Sequence, residues 1–585
     1  MRHSWRILAF VAAFALPIPS VWAVVSFQYS IKGITGEPVE NADKRLKGKL
    51  ALIKQDLDQE QMMSFYRQAE NEIKLAVAPF GYFRASVRST LKPLGKERWF
   101  AYFYIQPGPR IRLRRLSVRI DGPGKEDPSF KNILSSLPLT IGQEFSVKNY
   151  DEAKDMLVNI AAQRGYFNAQ MTTNKLVIDQ APYGAEVTLV FNTGPRYHFG
   201  EVSFEYTQVP QKALVDAFLR RYVPFKKGDP YDNEKLSKMQ TNFSSSLYFQ
   251  SVNITPLTNQ TQNGSVPVAV KMTARKSQQY NFGLGFSTDS GIRGLTDLHL
   301  RPLTSTGHYL TLNAKASANQ SDNTAEFKVS YNIPGFNPST DLYKITAETQ
   351  HSHSDEIGSY DNMKVNASYS NVVKTWEQTV GLTLLAERSE AIKESEKTSY
   401  FLIPNGRWIR LKSDDPVAPT KGYRINFSMR GASQVTLGSC NFFQAYLQTQ
   451  WLHTFGDSFR VIARAEAGFM VIDDPNNLPI SLRFYAGGSQ SVRGYHLNEI
   501  GKNESGRTIS VGSLEFQRRV YGNFYLTVFY DAGQVGPSFF SGYKQGVGTG
   551  IVWHSPVGAL SLTVANALSN PDHPTLVQFS MGPEL

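Results

Sequence analysis

The chain has 585 residues, of which 41% are hydrophobic, 12% aromatic and 19% charged, with 44 Gly, 28 Tyr and a formal net charge of +12. That length exceeds one ordinary domain, and abundant aromatics and Gly with modest charge favour β structure over helix. The Lys and Arg residues are spread along the chain without a basic block interleaved with aromatics, so no nucleic-acid partner is indicated; attraction to anionic membrane surfaces is at least as natural a reading of the charge.

The N-terminal stretch "MRHSWRILAFVAAFALPIPSVWA" carries Arg2 and Arg6, an apolar run from Ile7 to Leu16, and Val21-Trp22-Ala23. It predicts a secretory signal peptide over 1–23, because the apolar run is shorter than the ~20 residues a spanning helix needs. A single cysteine, Cys440, excludes an internal disulfide. From 24 to about 276, short strands alternate with amphipathic helices, and a boundary falls near 276–278. This part repeats itself. Gly81-Tyr82-Phe83, Gly165-Tyr166-Phe167 and Leu247-Tyr248-Phe249 follow one another at spacings of 84 and 82 residues, each after a helical segment. The first two copies lead into a strand and then into Gly108-Pro109-Arg110 or Gly194-Pro195-Arg196. A helix that closes on Gly suits the left-handed cap, after which the aromatic pair is expected to cover the sheet. Leu247 demands a different turn in the third copy. The pattern resembles three polypeptide-transport-associated (POTRA) repeats, here at 24–108, 109–198 and 199–276. The resemblance implies exported modules that bind other chains by adding a strand to a sheet edge.

From Gln279 onward helical periodicity nearly vanishes. "GYRINFSMR" puts Tyr423, Ile425, Phe427 and Met429 on one face and Arg424, Asn426, Ser428 and Arg430 on the other; "FFQAYLQTQW" alternates likewise. Large amides and arginines on strand after strand suit a wide, hydrated lumen rather than a soluble sandwich. Sixteen strands are predicted, beginning near Gln279, Thr296, His308, Thr324, Leu342, Asp361, Glu377, Thr398, Lys421, Asn441, Ser458, Thr508, Asn523, Gln545, Gly558 and Thr575. The number is even, as antiparallel closure of such barrels requires. Short turns such as "LTSTG" and "TFGDS" alternate with longer polar connections such as "HSHSDEIGSYDN" and "RSEAIKESEKTS". The fold class expected is therefore mixed: three α+β repeats followed by a 16-stranded antiparallel transmembrane β-barrel over 277–585.

Between strands 11 and 12 the alternation stops at "AGGSQSVRGYHLNEIGKNESGRT", a polar stretch of about 487–506. Its Val492-Arg493-Gly494-Tyr495 resembles the Val-Arg-Gly-Phe/Tyr loop of the outer-membrane assembly-factor superfamily (BamA/TamA-like). The resemblance implies that the loop folds back into the lumen and that Arg493 meets Asp531 on strand 13 as a latch. Asp531 shares a face with Thr527 and is expected to point inward. Gly494 would let the backbone pass close to the wall, and Tyr495 would pack while keeping its hydroxyl wet. Three repeats are similar to the TamA-type branch, as is the ending "LVQFSMGPEL". Strand 16 is then short, and Pro583 lacks a donor to continue pairing. Strand 1 contains Gly283 and Gly285, which weaken a strand. A lateral seam is expected between Tyr280, Phe282, Gly283 and Gly285 on strand 1 and Val577, Phe579 and Met581 on strand 16; the alternative is that the glycines only relieve crowding.

"GFSTDSG" does not match Gly-x-Ser-x-Gly, "GVGTGIVW" lacks a following helix, "IDDPNN" lacks the carboxylates of a calcium loop, and His351 and His353 sit in a polar stretch. No catalytic residue, cofactor or metal site is expected. The resemblance implies a non-enzymatic assembly or translocation factor in the outer membrane of a Gram-negative bacterium, its repeats in the periplasm. The partner implied is a TamB-like protein anchored in the inner membrane, and the clients are outer-membrane proteins such as autotransporters. A gated or passive pore, and the outer-membrane end of a phospholipid-transport bridge in contact with outer-membrane lipid, are the other readings.

Overall fold

The structure, a computed structural model, describes residues 25–53, 58–95, 97–392, 394–416, 418–456, 458–502, 506–540, 542–556 and 558–582. The predicted signal at 1–23 and Pro583 lie outside the described residues. The chain divides into two compact units: residues up to Glu201 with Lys227–Glu234 and Leu257–Pro267, and Val202–Lys226 with Lys235–Pro256 and Val268–Leu585.

The N-terminal part builds three three-stranded sheets. The first has the order β1-β3-β2, with β1 (Ser26–Lys32), α1 (Glu37–Leu52), α2 (Gln59–Val77), β2 (Ser86–Pro93) and β3 (Arg98–Gln106). Its helices bury Ala42, Leu46, Phe65, Ala69 and Ile73 against Ala101, Phe103 and Ile105. A capping box starts α2: the Asp58 carboxylate accepts the Gln61 N–H at 2.7 Å, and the Gln61 side chain accepts the Asp58 N–H at 3.3 Å. The second sheet has the order β4-β6-β5, from β4 (Leu113–Asp121), α3 (Pro128–Ser135), α4 (Val147–Gln163), β5 (Gln170–Gln180) and β6 (Tyr183–Asn192). The third has the order β7-β9-β8, from β7 (His198–Tyr206), α5 (Asp216–Leu219), α6 (Asn233–Ser244), β8 (Phe249–Pro256) and β9 (Ser265–Ala274). The division between the two units runs through this third sheet.

The Gly-Tyr-Phe triplets lie where one module meets the next. Gly81 has φ +95° and Gly165 φ +84°. A Cβ on Gly81 would lie 2.6 Å from the Phe145 carbonyl oxygen, and one on Gly165 would lie 2.6 Å from Tyr231 Cβ. Both conformation and close approach therefore demand glycine. The next segment binds there, the Ile111 N–H donating to Gly81 O and the Tyr197 N–H to Gly165 O, each at 2.9 Å. The expectation that the aromatic pair covers the sheet is corrected: the pair splits. Tyr82 and Tyr166 pack in the cores of their own modules, whereas Phe83 packs against the second core and Phe167 lies edge-on to Tyr231 with centroids 4.9 Å apart. The arginine of each Gly-Pro-Arg closes the turn: Arg110 Nε donates to Phe80 O at 3.2 Å and Arg196 Nε to Arg164 O at 3.0 Å. Their guanidinium groups sit 5.3 Å over Tyr82 and 5.7 Å over Tyr166. In the third copy Leu247 is exposed, the Tyr248 hydroxyl donates to Gly307 O, and Arg275 Nε donates to Phe249 O at 2.6 Å.

Sixteen strands follow in one antiparallel sheet, paired in chain order. They are β10 (Gln278–Ser287), β11 (Gly291–Leu300), β12 (Tyr309–Ala318), β13 (Asp322–Pro334), β14 (Leu342–Ser354) and β15 (Gly358–Val373). Then come β16 (Trp376–Ala391), β17 (Lys397–Ser413), β18 (Lys421–Ala432), β19 (Phe442–Phe455) and β20 (Phe459–Ile472). The last are β21 (Thr508–Tyr521), β22 (Phe524–Gly536), β23 (Lys544–Ser555), β24 (Gly558–Ala567) and β25 (Thr575–Gly582). The expected 16-stranded barrel is present, nearly closed. Leu447, Trp451, Leu526, Val528, Ile551 and Leu562 face outward and exposed, as lipid-facing strands require.

Two expectations change. The second strand starts at Gly291, five residues before Thr296, because the turn after β10 is tight and "GIRG" carries no apolar alternation to announce a strand. Among the described residues, the polar stretches 351–362 and 388–399 are mostly strand rather than loop. β15 and β16 run 16 residues and β17 runs 17, beyond the ≈ 9–11 that span a bilayer, so their polar ends extend past it.

Candidate functional site: the lumenal loop and the open edge

After β20, residues 473–502 turn back inside the barrel. Its Leu478, Leu482, Phe484, Ala486, Val492, Tyr495 and Ile500 form one apolar core with inward side chains of the wall, including Phe401, Phe442, Met470, Ile509 and Val535. At this level the loop packs the lumen, and the wide, hydrated space expected from the polar strand faces lies beside it. The polar part of the lumen is a cavity of about 960 Å³ bordered by Lys328, Lys344, Glu348, Lys364, Arg407 and Arg430, among others. Cys440, in the β18–β19 connection, belongs to the packed core, and burial pushes its thiol up to about 11.

Arg493 enters this core 5% exposed. Its Nε donates to Asp531 Oδ2 at 2.7 Å and its Nη2 to Asp531 Oδ1 at 2.8 Å, a two-pronged pairing that the planar guanidinium favours. Its backbone N–H adds a bond to Asp531 Oδ2 at 3.0 Å, and Nη2 reaches Ser513 Oγ at 3.1 Å. Nη1 donates to Glu515 Oε2 at 2.7 Å, and the guanidinium carbon lies 3.4 Å from the centroid of the Phe529 ring. Glu515 is shared: Arg464 Nη1 donates to the same oxygen at 3.1 Å, while Gln517 and Thr527 donate to Oε1 at 2.8 and 3.0 Å. Two cations thus face two carboxylates with most of their lone pairs used, which is the condition for burying charge at tolerable cost.

Glu515 and Phe529 were missed by sequence reasoning, though a signal existed. The alternation Ser513, Glu515, Gln517 puts all three on the polar face of β21, whereas counting back from the Gly522-Asn523 turn misses their partners by one residue: a bulge between Arg519 and Tyr521 shifts the register so that Ser513 pairs with Asp531, Glu515 with Phe529 and Gln517 with Thr527. That register sets a second carboxylate on the inward face beside Asp531.

The rest of the loop reaches both ends of the sheet. Ser489 donates through its N–H (2.7 Å) and its hydroxyl (2.5 Å) to Asp289 Oδ2, in the turn after β10. Asp289 is the acid of "GFSTDSG". On the other side, the Gly494 N–H donates to Gln578 Oε1 at 3.2 Å, Gln578 Nε2 donates to Tyr495 O at 3.4 Å, and Gln490 Nε2 to Ser580 Oγ at 3.4 Å, all on β25. Gly494 has φ +93°, and a Cβ there would lie 3.0 Å from the Asn566 carbonyl carbon. The Tyr495 hydroxyl is not kept wet: it donates to Gln545 O at 3.3 Å, with the ring buried. The loop's stem is fastened by Arg483, whose Nη1 and Nη2 meet Glu394 Oε1 and Oε2 at 2.9 and 3.1 Å. That pairing with Arg483 holds the Glu394 carboxyl below the usual carboxylate range.

Fifteen ladders join the sixteen strands, and among the described residues none joins β10 to β25; the backbone hydrogen bond at this edge runs from the N–H of Thr288, just past β10, to Phe579 O at 3.1 Å. Thr288 Oγ1 also accepts the Phe579 N–H at 3.1 Å, Arg293 Nη2 donates to Met581 O, and the Phe286 and Phe579 rings lie 5.9 Å apart. Phe579 and Met581 are therefore brought to the first strands. Tyr280, Phe282 and Val577 are not set opposite one another. With Thr288 level with Phe579, Val577 falls beside the turn after β10, and Tyr280 and Phe282 lie beyond the described end of β25. Phe282 and Leu284 point outward, 77% and 85% exposed, more than most outward residues elsewhere on the wall. Gly283 and Gly285 face inward and border a cavity of about 490 Å³ with Leu284, Gly294, Leu295 and Met581.

Comparison with known proteins gives this geometry its context. An Omp85 superfamily domain matches residues 184–584, and the POTRA domain described as TamA domain 1 matches residues 28–107. Outer membrane protein assembly factor BamA of Nitratidesulfovibrio vulgaris is 22% identical over 533 residues, covering 86% of this chain and 66% of the relative. BamA of Neisseria meningitidis serogroup B is 21% identical over 437 residues, covering 70% of this chain and 53% of the relative. The chain thus spans less than two thirds of the length of these relatives. The crystal structure of BamA from Haemophilus ducreyi lacking POTRA domains 1–3 shares the fold, with a TM-score of 0.64 at 16% identity, over 80% of this chain and 99% of that one. The matched superfamily domain covers more than half of the chain, and the protein belongs to the Omp85 superfamily.

Proposed function

We propose that this protein is a TamA-type assembly or translocation factor without enzymatic chemistry, seated in the outer membrane of a Gram-negative bacterium. In this reading 24–108, 109–198 and 199–276 are periplasmic POTRA repeats that recruit a TamB-like partner anchored in the inner membrane. The barrel over 277–585 presents the edge between β10 and β25 to clients such as autotransporters, and Arg493 and Asp531 latch the loop that ties both strands. The observation that carries the reading is the weakly joined β10–β25 edge: an edge with unmet backbone groups is a template for an incoming strand. The match to a TamA-type first repeat and the similarity to relatives that are assembly factors support it.

The test is photocrosslinking from position 282 in living cells while outer-membrane proteins are being made, with adducts identified by mass spectrometry. Adducts to nascent barrel proteins are expected. Adducts to lipid or to β25 alone would sink the insertion route. The polar cavity of about 960 Å³ favours the second reading, a pore, which a steady conductance surviving deletion of 24–276 would support.

A further inference from the structure

Strand β3 carries aromatic side chains on both faces. Ala101, Phe103 and Ile105 enter the core, while Phe100, Tyr102 and Tyr104 occupy the other face, with Tyr102 and Tyr104 exposed. The register places Gln28, Ser30 and Lys32 of β1 on one side of these rings, and Lys92, Thr90 and Arg88 of β2 on the other. Arg98 continues the β3 row beside Ser26. Three rings thus run down the middle of the sheet with four cations around them, and no carboxylate stands at any of these paired positions.

The charge is also left free. On the helices, Arg45 and Lys49 pair with Glu72, and Lys47 with Asp43. Among the described residues, Lys32, Arg88, Lys92 and Arg98 form no ion pair; Lys92 Nζ lies 5.7 Å over the Tyr102 ring. The equivalent faces of the other sheets carry Glu186, Thr188, Val190 and Asn192, or Pro267, Ala269, Lys271 and Thr273, with no aromatic ring. The feature belongs to the first module.

We propose that this face of the first module docks on an anionic phospholipid surface. Lys and Arg meet the lipid phosphates, while Tyr and Phe take the headgroup level, where amphipathic rings are favoured. An acidic protein is the other source of negative charge. The face favours lipid because its cations stand around a flat amphipathic centre, an arrangement that fluid headgroups satisfy without a matching partner shape.

The test uses the full chain in nanodiscs of phosphatidylcholine, mixed with vesicles of phosphatidylcholine containing roughly a quarter phosphatidylglycerol, and reads co-flotation. Flotation with the anionic vesicles should exceed that with pure phosphatidylcholine vesicles by about tenfold, and should fall as salt shortens the screening length. Arg88→Glu with Lys92→Glu should abolish the excess, and Tyr102→Ser with Tyr104→Ser should reduce it several-fold. Heat resistance of the barrel on gels should be the same in all, as these side chains are exposed. No excess over neutral vesicles, or an excess that the variants retain, overturns the proposal. So does polyglutamate binding that needs the four cations without any vesicle binding, which would assign the face to an acidic protein.

Discussion

Arg493 donates five hydrogen bonds to Asp531, Glu515 and Ser513, and its guanidinium covers the Phe529 ring. Removing one member of a truly buried pair costs about 3–5 kcal/mol, because the partner charge stays behind. Arg464 would still meet Glu515, so the loss falls mainly on Asp531. Arg493→Ala is expected to lower the temperature at which the folded barrel survives on semi-native gels, and to open the core so that Cys440 reacts with a thiol reagent. Arg493→Lys, which keeps charge but loses the two-pronged geometry, should fall between. A wild-type transition with Cys440 still protected would mean the network does not hold the loop. At this scale Asp531 was legible from the resemblance and from its inward position. Glu515 could be placed on the inward face by alternation, but the bulge between Arg519 and Tyr521 hides its position beside Asp531. Asp289 and Gln578 were not legible, because the path of the loop through the lumen decides which polar side chains it meets.

Among the elements, the Gly-Tyr-Phe turns do more than cap helices: the glycine admits the next segment, the tyrosine stays home and the phenylalanine crosses over. Gly165 and Gly142 have nearly the same backbone, φ +84° and +87°, but a Cβ on Gly142 would meet nothing within 4 Å. Gly142→Ala therefore reports left-handed strain alone, about 1–2 kcal/mol. Gly165→Ala adds the clash with Tyr231 and should cost more, read as faster cleavage near residue 165 by limited proteolysis of the full chain. Equal effects would show that close approach does not matter there. The repeat was legible because its triplets recur in register. The splitting of each aromatic pair was not, since sequence spacing says which face a side chain takes but not which neighbouring module covers it.

For the molecule as a whole, the wall is uneven. β15 to β17 run 16 or 17 residues, whereas β10 has 10 and β25 has 8, so ladder pairing is least where the sheet meets itself. Any lateral opening should therefore occur at that edge, with the loop's bonds to Asp289 and Gln578 holding it. In a Cys440→Ser background, Thr288→Cys with Phe579→Cys should form a disulfide that stops client assembly in cells and releases it on reduction. Assembly at the wild-type rate with the crosslink complete would exclude that edge as the route.

Alternation with a period of two, short turns and an even strand count were readable from the chain alone, because each depends on residues close together in sequence. The lumen is different. Ser489 meets Asp289 across 200 residues and Gly494 meets Gln578 across 84, and no local pattern encodes either. Only closure of the sheet brings its two ends within reach of one loop, and only packing decides that this loop fills part of the lumen with an apolar core instead of leaving it to water.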